Sequence, residues 1–201
     1  MNLLSLKKNY KMYRVLAITA LVFFSFSKSF PQTTTIAPPL DKSPMDMSFY
    51  PNNYPLLKIQ DKATAPLAAK LTYSRPLKNN RVIFGDLIEY GKVWRLGANE
   101  ATEIEFYQNV KINKTRVKKG RYTLYAIPAA DKWTFIVNKE LDTWGSFKYD
   151  AAKDILRMDV PVQKQTDTTE AFSMYFDKAA DGYTLNTIWE NVKVSLPISL
   201  Q

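Results

Sequence analysis

Two neighbouring stretches, RYTLYAI (Arg121–Ile127) and KWTFIVN (Lys132–Asn138), decide the fold. Both are rich in aromatic and β-branched residues, which favour strands. In the second stretch three apolar residues recur at every other position: Trp133, Phe135 and Val137. A period of two places such residues on one face of a strand. Pro128 ends the first stretch and Ala129-Ala130-Asp131 follows it, so we predict two strands joined by a turn.

The same alternation continues on both sides of this pair. Thr102–Val110 (TEIEFYQNV) sets Ile104 and Phe106 against two glutamates, as in a half-buried strand. Further strands are predicted downstream at 154–162, 171–177, 183–190 and 192–198. Turn signals every eight to twelve residues are typical of sandwiches and barrels. We therefore predict an all-β fold: an antiparallel β-sandwich or jelly-roll-like barrel of roughly nine strands with one or two short helical turns. One such turn is predicted at Asp86–Glu89, which carries a capping box before Gly91.

The N-terminus predicts export. Four basic residues precede the apolar run Val15–Phe26, and twelve apolar residues are shorter than the roughly 20 that a membrane-spanning helix needs. Serines then suit signal-peptidase cleavage after Ser27 or Ser29. The alternative is a short membrane anchor. We expect a periplasmic or extracellular protein with no membrane span once the leader is removed.

Composition divides the chain into four parts. Residues 1–27 are the predicted signal peptide, and 28–44 a linker rich in proline and threonine. Residues 45–66 gain apolar and aromatic side chains, so we expect an extended arm that packs on the domain. Residues 67–201 are the predicted β-sandwich domain.

The residue types that are absent exclude several chemistries. The chain has no cysteine, which excludes a lipid-modified cysteine, disulfides and thiolate metal sites. It has no histidine, which excludes Ser-His-Asp catalysis and the usual zinc sites. A metal would need oxygen ligands in alternation, and Asp150–Asp154 lacks that pattern and suits a capped turn. We nominate no metal ligand and no cofactor.

The charge of the chain does not point to nucleic acid. Removing residues 1–27 takes away four basic and no acidic residues, so the formal charge falls from +9 to +5. A mildly basic mature chain implies no nucleic-acid partner. Six basic residues are predicted to share one hairpin, as a solvated face or a contact for anionic polysaccharide or headgroups: Lys111, Lys114, Arg116, Lys118, Lys119 and Arg121.

The segment Gly91–Thr102 (GKVWRLGANEAT) is the densest polar and aromatic cluster. Two glycines bracket Trp94 and Arg95, and glycine permits a positive φ or a close backbone approach. One interpretation is a buried corner, with Trp94 in the core, Arg95 paired to Glu100, and Asn99 and Thr102 bonding loop carbonyls. The other is a cleft in which Arg95 binds an anionic or hydroxyl group and Glu100 acts as a base or acceptor.

A second candidate is the loop Asp142–Asp150 (DTWGSFKYD). If exposed, Trp144 and Tyr149 form a platform for a sugar ring; the alternative is that they plug one end of the sandwich. The candidate ligand-binding residues are then Trp94, Arg95, Asn99, Glu100, Thr102, Trp144 and Tyr149. Glu100 is the candidate catalytic carboxylate of a glycan hydrolase, with Asp86 as a conceivable partner.

Several blocks resemble the domain of unknown function numbered 2911, whose members are secreted proteins found mainly in Bacteroidota. The blocks are Tyr73–Pro76 (YSRP), Ile83–Asp86 (IFGD), Tyr90–Thr102, Gly120–Leu124 (GRYTL), Lys132–Thr134 (KWT) and Trp144–Gly145. The similarity extends over roughly Ser43 to Ile198. The resemblance implies a β-rich periplasmic or extracellular protein, and it implies no activity and no catalytic residues.

Taken together, the sequence favours an exported envelope protein: a non-catalytic β-sandwich that binds a small polar or carbohydrate ligand. A carboxylate-based glycan hydrolase using Glu100 and a purely structural envelope component are the alternatives. The sequence does not indicate the oligomeric state.

Overall fold

The computed structural model describes residues 37–201, so the predicted signal peptide and most of the predicted linker lie outside the described residues. Ten strands and one short α-helix follow in chain order: β1 Met45–Tyr50, α1 Tyr54–Ile59, β2 Ala69–Ser74, β3 Glu103–Phe106, β4 Val110–Ile112, β5 Thr115–Val117, β6 Gly120–Pro128, β7 Lys132–Asn138, β8 Asp154–Pro161, β9 Gln163–Ala179 and β10 Gly182–Leu200.

The strands form two sheets in which paired neighbours run antiparallel. One sheet has the order β1-β2-β3-β6-β7-β8 and the other β5-β4-β10-β9. The hairpin predicted around Pro128 is present, with Leu124 opposite Val137 in the register of β6 and β7. The all-β, antiparallel sandwich predicted from the alternation is therefore confirmed.

A cluster of aromatic side chains fills the space between the sheets. Trp133 lies on β7 of one sheet and Trp189 on β10 of the other, and each is about 1% exposed. Trp94 lies between them, with ring centroids 5.7 Å from Trp133 and 6.2 Å from Trp189. Phe84 and Phe172 pack against the same ring. Aromatic contacts of this kind contribute roughly 0.5–1.5 kcal/mol each beyond the area they bury.

Strand β10 reverses direction near Glu190 and Asn191. Glu190 has a φ of +53°, and the pairing with β9 shifts register on both sides of it. Hydrogen bonds then join residues that are equally far in sequence from the bond between Glu190 and Asn191. The Leu200 N–H donates to the Asp181 carbonyl at 3.0 Å, and the Ser195 hydroxyl donates to the Asn186 side-chain oxygen at 2.7 Å. The two halves therefore lie side by side. The first pairs with β9, and the second begins beside β9 at Val192 and Lys193 and ends beside β4.

Strand β1 pairs with β2 at one edge and also contacts the opposite sheet. The Ser48 hydroxyl donates to the Met174 carbonyl of β9 at 2.5 Å. The Tyr50 ring stacks on Tyr183 with centroids 4.3 Å apart. Part of the segment predicted as an extended arm is thus a strand that covers one open side of the sandwich.

The short helical segments do not lie where they were predicted. Asp86–Glu89 forms no helix; the chain makes a tight turn in which the Gly85 N–H donates to the Ile88 carbonyl at 2.9 Å. This bond runs from an earlier N–H to a later carbonyl, which is the opposite direction to a helical hydrogen bond, so the segment is not helical. The α-helix is Tyr54–Ile59, in the predicted arm, and a 3₁₀ turn covers Ala151–Lys153, where the Asp150 side chain caps it as expected for a capped turn.

The basic hairpin is confirmed except for one residue. Strands β4 and β5 pair around the Asn113-Lys114 turn, and the five lysines and arginines from Lys111 to Lys119 are exposed. Arg121 was wrongly assigned to this tip. It lies on β6 in the other sheet, where its guanidinium contacts Glu103 at 3.3 Å and Asp142 at 2.7 Å.

Within residues 37–201, no helix has the length and apolar character needed to cross a membrane.

The reversal of β10 predicts that residues 186 and 195 can be cross-linked. Facing residues on adjacent strands have Cβ atoms roughly 4.5–5.5 Å apart, close to the separation of a disulfide. We expect the double variant Asn186→Cys/Ser195→Cys to lose both thiols on mild oxidation, measured with Ellman's reagent. The chain has no other cysteine to interfere.

The matched control is Asn186→Cys/Lys193→Cys, which shifts one thiol by two residues and should stay reduced. In a straight strand residues 186 and 195 would lie about 30 Å apart. Two free thiols in the first variant after oxidation would contradict the reversal.

Candidate functional site

The segment Gly91–Thr102 is fixed to strand β6 at both ends. The N–H of Trp94 donates to the Ala126 carbonyl at 2.7 Å, and the Ala126 N–H donates to the Trp94 carbonyl at 2.9 Å. At the other end the Leu124 N–H donates to the Thr102 carbonyl at 2.8 Å. Since β3 stops pairing with β6 at Glu103, Trp94 continues the sheet in the place that β3 vacates. The segment is therefore part of the sheet at both ends.

The bend between these ends is held by close backbone packing. Leu96 is fully buried with a φ of +57°, an uncommon conformation for a branched side chain. Gly97 has a φ of +136°, and a Cβ there would lie 2.8 Å from the Ser74 carbonyl oxygen. The Ser74 hydroxyl bonds both the carbonyl and, at 2.7 Å, the N–H of Ala98. The Thr102 hydroxyl donates to the Leu96 carbonyl. Two of the predicted ligand-binding residues, Trp94 and Thr102, are thus buried. Their side-chain polar groups donate to backbone carbonyls of the same segment and are not free for a ligand.

The ion pair between Arg95 and Glu100, which one of the two interpretations required, is not formed. Glu100 is exposed, and neither side chain forms a salt bridge or hydrogen bond with any of the residues 37–201. The bend explains why: positive φ at Leu96, Gly97 and Asn99 turns the chain so that the two side chains line different depressions.

The structure does bring the two predicted loops together. Glu100 forms a β-bridge with Trp144, and the Gly145 N–H donates to the Asn99 carbonyl at 2.9 Å. The Ala101 N–H donates to the Thr143 carbonyl at 3.0 Å. Asn99 and Glu100 therefore adjoin Trp144, whereas Arg95 does not.

A depression of about 580 Å³, which we call the Trp144 cleft, lies mostly on residues 140–148, and Asn99 and Glu100 do not line it. Its lining residues are Tyr125, Glu140, Leu141, Asp142, Thr143, Trp144, Gly145, Phe147, Lys148 and Lys153. Two aromatic side chains stand out at its rim, since Trp144 is 61% and Phe147 84% exposed. Lys153 forms a salt bridge with Glu140, and the Tyr125 hydroxyl is 3.1 Å from that of Thr143. The cleft thus combines bare aromatic faces with charged and hydroxyl groups.

Tyr149 does not form a platform with Trp144. Its hydroxyl donates to Asp154 at 2.6 Å and accepts from Arg157 at 2.6 Å, and its ring packs edge-on against Tyr125. The pKa of Tyr149 is raised to about 12, mainly by burial and next by the hydrogen bond to Asp154. The Tyr149 side chain is thus engaged within the protein and does not line the Trp144 cleft. The aromatic residue that accompanies Trp144 at the rim of the cleft is Phe147.

A second depression, about 350 Å³, contains Arg95 and is called here the Arg95 cleft. It is lined by Ser43, Pro76, Arg81, Leu87, Ile88, Arg95, Gly97, Ala98 and Trp189. The Nε of Arg95 is buried and has no hydrogen-bond partner among the described residues. Burial lowers the pKa of Arg95, because removal from water penalises the charged form.

Carboxylates near Glu100 are already engaged. Glu100 lines a small depression of about 150 Å³ with Glu103 and Asp142, and both of these are ion-paired to Arg121. Asp86, the other carboxylate nominated for hydrolysis, lines neither this depression nor the two clefts. Among residues 37–201 no group of acidic residues is placed to hold a metal ion.

The sequence did not predict five residues that line the two clefts. They are Phe147, Glu140, Lys148 and Lys153 in the Trp144 cleft, and Arg81 in the Arg95 cleft. Phe147 and Lys148 lie within the nominated loop, so only their exposure was unknown. Arg81 lies in a loop without alternation, and nothing in the sequence indicates that this loop faces Arg95.

Most of the chain matches one known protein family. The family model described as "Protein of unknown function (DUF2911)" matches residues 57–198, so β1 lies outside the match, which begins later than the Ser43 expected from the resemblance. No curated protein matches the chain significantly. No solved structure does either.

The bend predicts unequal costs for two glycine substitutions. Both Gly97 and Gly91 have positive φ, but a Cβ at Gly97 meets backbone, whereas a Cβ at Gly91 meets nothing within 4 Å. The backbone conformation alone costs of order 1–3 kcal/mol in each variant. We expect Gly97→Ala to lower the free energy of unfolding well beyond Gly91→Ala, measured by urea denaturation. Equal losses would show that the contact with Ser74 does not constrain the bend.

Proposed function

The chain belongs to the DUF2911 family of proteins of unknown function, and we propose that it is an exported, non-catalytic protein that binds a carbohydrate at the Trp144 cleft. The predicted leader supports action outside the cytoplasm. The observation that carries the proposal is the exposure of two large aromatic rings beside charged groups.

Exposed aromatic rings suit a sugar because the C–H face of a pyranose packs on an apolar ring. The core does not require these rings: Phe147 is 84% exposed, and Trp144 is the one tryptophan of four that is exposed. Both belong to a loop whose backbone is bonded to Asn99 and Ala101, so the backbone that carries them is in place before a ligand arrives. A preformed surface avoids part of the entropic cost of binding.

The polar groups of the cleft suit sugar hydroxyls. Asp142, Glu140, Lys148 and Lys153 supply acceptors and donors at its edge, and Thr143 adds a hydroxyl. A volume of about 580 Å³ lies within the roughly 300–1,000 Å³ typical of small-molecule sites.

Binding is favoured over hydrolysis by the state of the nearby carboxylates. Glu103 and Asp142 are held by Arg121, and Glu100 lines the smaller depression and not the Trp144 cleft. A carboxylate-based glycoside hydrolase uses two carboxyl groups that flank the scissile glycosidic bond. The described residues offer Glu100 no unengaged carboxylate in its depression.

Tryptophan fluorescence tests the proposal with the protein's own residues. Trp94, Trp133 and Trp189 are at most 4% exposed, so acrylamide quenches Trp144 selectively. We expect one member of a panel of neutral and acidic oligosaccharides to protect Trp144 from quenching. Trp144→Ala should then weaken binding of that sugar, measured by calorimetry, by roughly tenfold or more, as aromatic anchors do.

The control is Tyr107→Ala, which removes another exposed aromatic ring that does not line the cleft. It should leave the affinity unchanged. If no oligosaccharide protects Trp144, the proposal fails in favour of a structural component. Release of shorter sugars that stops in Glu100→Gln would instead support the hydrolase.

A further inference from the structure

The Arg95 cleft holds a half-buried cation without a counter-ion among the described residues. Arg95 forms no salt bridge with any residue in the described part of the chain, and its Nε is shielded from water with no acceptor. Burying a charge without a partner is costly, so proteins usually pair it. A bend that keeps such a group half-buried leaves its hydrogen-bonding capacity to a ligand.

A second arginine lies at the same cleft. Arg81 is exposed, and its guanidinium is anchored to the carbonyls of Lys78 and Leu77. These bonds use Nε and one terminal nitrogen, so the other terminal nitrogen has no bond to a described residue. No aspartate or glutamate is among the residues that line the cleft. The two charged side chains that line the cleft are thus both cationic.

The remaining walls are apolar. Pro76, Leu87 and Ile88 contribute aliphatic surface, and Trp189 lies at the inner side, where it belongs to the aromatic core. A ligand that fills the cleft must therefore combine a negative group with an apolar body. A fully hydrated anion such as phosphate would leave the apolar walls unused.

We propose that the Arg95 cleft binds an organic carboxylate, with the carboxylate on Arg95 and Arg81 and the apolar part against Ile88 and Trp189. The planar guanidinium fork matches a carboxylate in two parallel hydrogen bonds. The terminal nitrogens of Arg95 are the donors for such a fork, because its Nε is shielded from solvent. Binding would also offset the burial that lowers the pKa of Arg95.

This site is separate from the one proposed for a sugar. The Arg95 cleft and the Trp144 cleft share no lining residue. Failure of one proposal therefore leaves the other standing, and the two are tested with different probes.

Calorimetry with benzoate tests the site, with benzyl alcohol and inorganic phosphate as comparison probes. Benzyl alcohol keeps the ring without the charge, and phosphate keeps the charge without the ring. Benzoate should bind at least roughly tenfold more tightly than either, since benzyl alcohol lacks the charge-assisted hydrogen bonds and phosphate lacks the contact with the apolar walls. Equal binding of benzyl alcohol or of phosphate would overturn the proposal, as would no binding of any carboxylate.

Variants then locate the site. Arg95→Gln should weaken benzoate binding by roughly tenfold or more. Arg116→Gln removes the same charge from the exposed β5 hairpin and should leave affinity unchanged. If Arg95→Gln does not fold, Arg81→Gln serves, because Arg81 is exposed; it should weaken binding severalfold. Full affinity in every cleft variant that folds would overturn the proposal.

One further probe separates the sources of such a carboxylate. Acetyl-Ala-Leu with a free C-terminus represents a peptide end, and its C-terminal amide is the matched control. Tighter binding of the free acid than of benzoate would assign the cleft to peptide C-termini. Tighter binding of benzoate would assign it to free small carboxylates.

Discussion

The contact of Trp94 with Trp133 and Trp189 is the interaction on which the rest of the structure depends. It joins the two sheets through a residue that belongs to neither sheet's regular strands. Because the Trp94 ring is 4% exposed and its backbone pairs with Ala126, the segment around it enters the core as a strand would.

Once Trp94 is fixed, the bend after it determines which surface each neighbouring side chain reaches. Positive φ at Leu96 and Gly97 turns the chain, so that Arg95 lines one cleft while Asn99 and Glu100 adjoin Trp144. The same twelve residues thus act as a corner of the fold and as part of two surfaces. A corner held this tightly can keep a cation half-buried without a counter-ion, an arrangement found more often at functional sites than in structural cores.

The strands could be predicted because alternation follows directly from burial of one face, as at Ile104 and Phe106. Strand β1 was expected only as an extended arm, since its sequence lies among prolines and its burial comes from the distant Tyr183 and Met174. The positions of the Gly91–Thr102 side chains could not be predicted for a similar reason. Residue spacing allowed an Arg95–Glu100 pair, but backbone dihedral angles at Leu96 and Gly97, imposed by packing on Ser74, separate the two.

Hydrogen exchange at the amides of Trp94, Ala101 and Thr102 tests most directly whether this segment is part of the core. All three N–H groups donate to backbone carbonyls, and the reference is the amide of Phe135, which is fully buried on β7 between β6 and β8. If the segment is a fixed corner, its amides exchange only when the whole domain unfolds, at the rate of Phe135 and with the same dependence on urea. Exchange many times faster than Phe135, with little dependence on urea, would contradict this by showing that the segment opens on its own as a mobile loop.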